Sequence, residues 1–223
     1  MIDWTPFLLS FKLAFISTII LFIVCLPLAY IIARCEFKLK PVIESLISLP
    51  LVLPPSVLGF YILILLSPYS FLGEFIQKHF DMRLVFNFTG LVIASCIYSL
   101  PFMFSPILSG FKTLPNSLIE ASYSLGKGRI TTLFRVAIPN IKPSLLSAII
   151  ISFAHTLGEF GVILMIGGSI EGETKVASIA IYDAVEILDY ELAHIYSAAM
   201  LAISFLVLFL VYFINQKMAK KIV

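Results

Sequence analysis

The sequence predicts an all-helical integral membrane protein with about five spanning helices. Of its 223 residues, 60% are hydrophobic and 13% are charged, and the mean hydropathy is +1.06. Soluble domains contain about 45–50% apolar and about 25% charged residues, so this composition argues strongly against a soluble enzyme. With 20 Phe and three Cys, the chain is also neither a disordered protein nor a disulfide scaffold.

Five apolar stretches reach the roughly 20 residues that a helix needs to cross the hydrocarbon core. They are 13–33, 45–67, 85–111, 144–168 and 195–214. Only the fourth holds ionisable residues. A sixth segment, 176–188, is shorter and carries two carboxylates, which is typical of an interfacial or partly inserted helix.

The distribution of basic residues predicts the orientation of these spans. Eleven of the fifteen Lys and Arg follow the first, third and fifth stretches. Since Lys and Arg accumulate on the cytoplasmic side, the N-terminus is predicted outside and the C-terminus in the cytoplasm, in an inner membrane.

The longest predicted cytoplasmic segment, 112–142, is expected to hold two short helices. Pro115 suits the first turn of a helix. Apolar or small residues then recur at helical spacing, namely Leu118, Ile119, Ala121, Ser122 and Leu125. The glycines that follow are predicted to end this helix, and a second run, 129–136, is predicted to end before Pro139. An amphipathic helix of this kind either docks in a groove of a partner or lies on anionic lipid, and the physics alone favours neither.

Seven residues of this segment follow a fixed spacing: Glu120, Ala121, Ser122, Gly126, Val136, Ile138 and Pro139. The spacing resembles the Glu-Ala-Ala loop of binding-protein-dependent ABC-transporter permeases, with Ser122 in place of the second Ala. The resemblance implies a type I importer permease, with 1–223 as one transmembrane domain. It also implies that the loop at 112–142 is a coupling helix that docks in a cleft of a cytoplasmic ABC ATPase, which favours docking over the lipid surface.

Three further strings resemble molybdate permeases: LPLVLPP at 49–55, TLGEFG at 156–161 and EGET at 171–174. We therefore expect a permease that imports molybdate, while sulfate, thiosulfate and tungstate permeases are similar alternatives. The resemblance implies an external molybdate-binding protein and an ATPase subunit that holds ATP and Mg. Five spans are few to enclose a wide path, so a homodimer with the path at its seam is expected.

Prolines interrupt the second stretch at Pro50, Pro54 and Pro55. A proline removes a backbone donor and clashes with the preceding turn, so this helix must bend or open. Such a break is tolerated in a membrane where protein or a water-filled cavity surrounds it. The prolines are therefore either a bend that faces the transport pathway or a packed kink.

Polar residues in the third and fourth stretches are candidates for a pathway: Ser99, Ser152, His155 and Thr156. His155 and Glu159 are four residues apart and would share a helix face. A carboxylate repels an oxyanion, so Glu159 is interpreted as structural, paired with His155, with hydroxyls or with a neighbouring span. His155 either lines the pathway or packs in the bundle.

Small residues in the fourth stretch, Gly158 and Gly161, favour close helix packing at a subunit seam, with a flexible gate as the alternative. The sequence has no phosphate-binding loop, no metal-ligand spacing and no pairing of nucleophile and base. It is therefore predicted not to be an enzyme, to carry no cofactor or metal of its own and to bind no nucleic acid. An ion-gradient-driven carrier and a membrane scaffold remain as alternatives of other classes.

Overall fold

The structure is a computed structural model that describes residues 3–219, in which all regular structure is helical, as predicted. The helices are α1 (Thr5–Arg34), α2 (Lys40–Ser48), α3 (Pro55–Leu66), α4 (Phe71–Phe80), α5 (Phe88–Lys112), α6 (Asn116–Ser124), α7 (Arg129–Thr132), α8 (Ile138–Asn140), α9 (Lys142–Leu157), α10 (Gly161–Gly167), α11 (Ala177–Glu186) and α12 (Tyr190–Ala219). A 3₁₀ turn, Leu49–Leu51, extends α2, and a π turn, Leu133–Ala137, joins α7 to α8.

Three of these helices are long and apolar enough to cross a membrane unaided. They are α1 with 30 residues, α5 with 25 residues and the first 20 residues of α12. Two bent pairs raise the number of candidate spans to five: α2 with α3, at 109°, and the 129–140 helices with α9, at 78°. The expected number of about five spans agrees with this upper count.

The second apolar stretch bends as its prolines predict. The chain leaves the turn Leu49–Leu51, crosses a short irregular piece and begins α3 at Pro55. Proline is well placed there, because the first turn of a helix needs no N–H from it. At about 1.5 Å per residue, a helix of α3's length covers only about 18 Å, less than the roughly 30 Å of the hydrocarbon core.

The fourth apolar stretch was predicted as one continuous span, and that prediction is wrong. Helix α9 ends at Leu157, and α10 begins only at Gly161. The hydropathy of the sequence does not reveal this break, because glycine and phenylalanine are among its residues. Helix α11 supplies a hydrogen-bond partner at this break, because the Ser178 hydroxyl donates to the Glu159 carbonyl at 2.6 Å. Backbone freed inside a membrane protein needs such a partner.

The core lies where α1, α5 and α9 pack together. One apolar cluster includes Phe104, Ile107 and Phe111 of α5 and reaches the segment before α9. A second includes Leu13 of α1 and Ile163 of α10, towards the opposite end of the bundle. Small residues allow close approach: a Cβ added to Gly110 would lie 2.7 Å from the Cβ of Ser144 in α9.

Helix α11 is the shorter helix predicted around 176–188. With 10 residues it is too short to span, as expected, and it packs beside α12 and α1. The backbone N–H of Ala177 donates to the Ser10 hydroxyl of α1 at 2.9 Å. This bond satisfies one of the amides that the start of a helix leaves unpaired.

Candidate functional site: the elbow segment and the two helix breaks

The connection from α5 to α9, residues 113–141, is here called the elbow segment. Helix α6 starts at Asn116, with Pro115 just before it as the N-cap. The Asn116 side chain accepts a hydrogen bond from Arg34, at the end of α1, at 2.8 Å. A salt bridge of 3.0 Å between Lys112 and Glu44 ties the end of α5 to α2. The elbow segment therefore begins at a point that is anchored to two other helices.

Gly126 ends α6 in the manner that its sequence predicts. Its φ is +74°, a left-handed conformation that favours glycine. The N–H of Gly126 donates to the Tyr123 carbonyl at 2.8 Å, and the N–H of Lys127 donates to the Ser122 carbonyl at 3.1 Å. These two bonds form a Schellman motif, which turns the chain sharply towards α7.

The second helical run was predicted to end before Pro139, and this prediction is wrong. The chain passes from α7 through the π turn into α8, which contains Pro139 and ends at Asn140. Proline is tolerated because Pro139 lies within the first two positions of α8. The wider π turn before it replaces the regular hydrogen bonds that a proline inside one continuous helix would break.

Ser122 faces the interior of the elbow segment. It is buried, and its hydroxyl lies 2.9 Å from that of Thr132 in α7. Ile119 is buried as well, so the predicted apolar face of α6 is divided between an inner and an outer side. Ser122 thus joins α6 to α7 and, although buried, also borders a groove of this segment.

The outer side of the elbow segment exposes large apolar residues. Leu125 is 77% exposed, Ile130 74% and Phe134 59%. Beside Leu125 lies a groove of about 280 Å³ whose walls include Ala121, Val136 and the basic residues Lys127 and Arg135. We call these exposed residues and this groove the elbow surface. Apolar exposure with a polar or charged border is typical of a protein-binding surface.

The remaining residues of the spacing motif differ in exposure. Glu120 and Pro139 are exposed, whereas Val136 and Ile138 are half-buried and pack on the core. Ala137 and Ile141 are buried in that core and were missed by the sequence reasoning. Ala137 lies inside the motif and Ile141 two residues after it, so their apolar side chains at the end of the motif were the available signal. Through them the elbow segment is fixed to α5 and α9.

The two helix breaks meet each other. A Cβ added to Gly161, at the start of α10, would lie 2.8 Å from the Cβ of Pro55, at the start of α3. A Cβ added to Gly59 would lie 3.0 Å from that of Met165. Gly161 therefore serves close packing within this chain. Pro54 and Pro55 are exposed beside the break, Pro50 is buried, and Gly158 is exposed.

Hydroxyl groups predicted for a pathway lie buried between α5 and α9. Ser99 and Thr156 are hydrogen-bonded at 2.9 Å. Ser95 of α5 donates to Glu159 Oε2 at 3.0 Å. Within residues 3–219, Ser152 Oγ and Glu159 Oε1 are buried without a hydrogen-bond partner. Of the alternatives for Glu159, the structure selects a hydroxyl on a neighbouring helix.

His155 and Glu159 do not share a helix face, because α9 ends between them at Leu157. The His155 ring instead packs edge-on against the rings of Phe102 and Tyr98, at centroid distances of 3.8 Å and 4.7 Å. This half-buried histidine is held by aromatic packing from α5. In the described part of the chain, no three His, Cys, Asp or Glu side chains are grouped as metal ligands would be.

The bent spans, the elbow segment with its spacing motif and the helical bundle together define an ABC-importer permease. The family profile described as "Binding-protein-dependent transport system inner membrane component" matches residues 25–221. The chain belongs to this family. It is accordingly a multi-pass inner-membrane protein, and the resemblance of its motif to the family is confirmed.

Similar proteins are named as permeases of molybdenum or sulfate transport systems. A molybdenum transport system permease protein of Azotobacter vinelandii is 41% identical, over 94% of this chain and 93% of that protein. A putative molybdenum transport system permease protein of Bacillus subtilis is 35% identical, over 96% and 93%. A sulfate transport system permease protein of Escherichia coli is 30% identical, over 94% and 76%.

Solved structures support the fold. The MetNI methionine ABC transporter, in inward-facing conformations, matches with a TM-score of 0.73 at 16% identity, over 95% of this chain and 94% of that chain. A bacterial ABC transporter that imports alginate matches with a TM-score of 0.80, also at 16% identity, over 96% and 78%. The type I importer architecture expected from the sequence is thereby confirmed.

Replacing Gly126 by Ala is expected to destabilise the elbow, because an alanine at positive φ is strained by about 1 kcal/mol. Gly128 is the matched control, because its φ is −73° and open space surrounds it as it does Gly126. Hydrogen exchange of the amides of α6 and α7 measures the effect. We expect faster exchange in Gly126→Ala and unchanged or slower exchange in Gly128→Ala. Equal exchange in the two variants would contradict the assigned role of the turn.

Replacing Ser95 by Ala removes the hydroxyl that donates to the buried Glu159 carboxyl. Leaving a buried polar group unpaired costs about 1–3 kcal/mol, whereas removing both partners is nearly neutral. The thermal unfolding midpoint in detergent should therefore fall in Ser95→Ala and recover in the double variant Ser95→Ala, Glu159→Leu. Ser99→Ala is the control. Its thermal unfolding midpoint should fall less than that of Ser95→Ala, because the Thr156 hydroxyl can bond back to its own helix. A double variant no more stable than Ser95→Ala would show that Glu159 has another role.

Proposed function

We propose that this chain is the membrane-spanning permease subunit of an ATP-driven ABC importer that carries molybdate into the cell. The observation that carries the proposal is the identity of 41% to a molybdenum permease over nearly the whole length of both chains. The sulfate permease is less similar and longer, because the match covers only 76% of it. Sulfate, thiosulfate and tungstate remain the competing cargoes, because they are tetrahedral or near-tetrahedral oxyanions.

The chemistry of the two helix breaks suits an anionic cargo. The N-terminal end of α3 at Pro55 carries the partial positive charge of a helix start, and it is exposed beside the break. The Glu159 side chain is buried and accepts a hydrogen bond from Ser95 of α5. This contact keeps the intramembrane carboxyl away from that exposed surface. We place the transport path along the breaks, at Pro54, Pro55 and Gly158, and treat Ser99, Ser152 and Thr156 as packing inside the bundle.

We further propose that two copies of the chain form a homodimer with the path at their seam. Up to five spans per chain are few to surround a wide path. Helix α2, the irregular piece after the 3₁₀ turn and α3 expose Leu46, Val52 and Tyr61, respectively, and a second copy would bury part of this surface. A closed two-fold dimer buries the same patch on both copies.

Coupling to ATP hydrolysis is proposed to run through the elbow surface. A separate cytoplasmic ABC ATPase would hold ATP and Mg and receive Leu125, Ile130 and Phe134 in a cleft. Movement of the elbow segment would pass to α9, because Ala137 and Ile141 are buried against the core. An external molybdate-binding protein would deliver the cargo. The positive-inside rule then places the N-terminus outside and the C-terminus in the cytoplasm.

The test is uptake by the chain reconstituted in vesicles with its ATPase and its binding protein. We expect uptake of labelled molybdate that requires ATP and that unlabelled tungstate inhibits more strongly than sulfate. Uptake of sulfate in preference to molybdate would overturn the cargo. Uptake that persists without the ATPase would instead support an ion-gradient-driven carrier, and no uptake with every partner present would support a scaffold.

A further inference from the structure

A cavity of about 380 Å³ with several charged and polar residues in its lining lies between the end of α1 and the elbow segment. It is separate from the elbow surface and from the helix breaks. Its walls come from α1 and the residue after it, from α6 and from the start of α7. The lining residues on which the inference depends are Tyr30, Arg34, Cys35, Glu120, Tyr123 and Arg129.

Arg34 is fixed at the wall of this cavity without an ion partner. Its two terminal nitrogens donate to Asn116 Oδ1 at 2.8 Å and to the Phe111 carbonyl at 3.3 Å. Its Nε is buried and unpaired. Among the salt bridges of residues 3–219, none involves Arg34. A guanidinium offers five N–H donors, so this half-buried cation has donors to spare and its charge is not compensated.

The other polar groups of the cavity add one cation, one carboxylate and two phenols. Arg129 enters from α7 as a second guanidinium, and Tyr30 and Tyr123 contribute phenol groups. Glu120 is the carboxylate in the lining, and the described chain forms no salt bridge from it to either arginine. Arg34, Arg129 and Glu120 together carry one net positive charge. Arg34 is half-buried and Arg129 is exposed, and an anion placed between them would stabilise the half-buried charge.

We propose that this cavity binds a tetrahedral oxyanion of the phosphate type. Guanidinium groups bind such oxygens through short, charge-assisted hydrogen bonds, often two at a time. The bound anion bridges Arg34 of α1 to Arg129 of α7, and so fixes the elbow segment to the end of the first spanning helix. Occupancy then sets how freely the elbow segment moves, a consequence that bears on transport only if the proposed function holds.

The oxyanion has two possible sources, the headgroup of an anionic phospholipid and free phosphate. Arg34 ends a helix that spans the membrane, and Ile31, Phe37 and Leu39 nearby expose apolar side chains. A headgroup phosphate could reach the cavity while its acyl chains cover these residues. The two sources share their chemistry, so the experiment must separate them.

The native Cys35 reports on the cavity, because it lies in the lining and is exposed. Cys25 is buried and Cys96 half-buried in spanning helices, so neither competes for a polar reagent. The full chain in phosphatidylcholine nanodiscs is labelled with a polar maleimide, and mass spectrometry follows Cys35. Phosphate is added in one arm, with chloride at equal ionic strength as its control. In the other arm phosphatidylglycerol replaces part of the lipid.

We expect saturable slowing of Cys35 labelling in at least one arm. Slowing by phosphatidylglycerol alone identifies a lipid headgroup, and slowing by phosphate identifies a free anion. In Arg34→Gln and Arg129→Gln, the concentration needed for half-maximal slowing should rise about tenfold or more, as expected for the loss of one charge-assisted bond. For each variant, the rate of Cys35 labelling with anion is compared with its rate without anion. A change in the intrinsic reactivity of the thiol therefore cancels.

Lys38→Gln is the matched control, because Lys38 is a nearby exposed cation that is absent from the lining. It should leave the slowing unchanged. If Arg34→Gln does not fold, the exposed Arg129 variant gives the same test. Unchanged labelling in both arms, or equal protection in Arg129→Gln and Lys38→Gln, would overturn the proposal. Protection that appears only when an ATPase subunit is added would assign the cavity to a protein partner.

Discussion

The structure depends on one constraint, which is that backbone polar groups at membrane depth need partners within the protein. Two apolar stretches of this chain contain helix breaks, and the fold places these breaks against each other. Gly161 lies against Pro55, and Ser178 of α11 donates to the Glu159 carbonyl. The short helices α3 and α10 therefore pack against each other, and α11 is bonded to the break before α10, because none of them could sit alone in lipid.

Side chains hold the elbow segment to the bundle. Ser122 and Thr132 join its helices to each other, and Asn116 at its start is bonded to Arg34 of α1. Its end joins the core at Ala137 and Ile141. The outer side keeps Leu125 exposed, so one face is available to a partner while the other is fixed to the bundle.

The sequence predicts the helical class, the long helices and the two short helices of the elbow segment, because these follow from local hydropathy and from Pro and Gly. Features that depend on distant residues were not predictable. Ser122 was predicted on the apolar face of α6, and its contact with Thr132, ten residues away in the sequence, could not be predicted. His155 and Glu159 looked like neighbours because hydropathy continues through the break that separates them. The helix through Pro139 required a π turn, which no spacing rule reveals.

The central claim is that the elbow surface is the docking site of an ATPase. Cysteine cross-linking in membranes tests it most directly, with Cys35 replaced by Ser, and with Cys introduced either at the exposed Leu125 or at the buried Thr132, which does not border the groove. The account predicts that Leu125→Cys is captured by the ATPase subunit, that ATP changes the yield, and that Thr132→Cys is captured little or not at all. Failure of Leu125→Cys to capture the ATPase in an importer that transports its cargo would contradict the account.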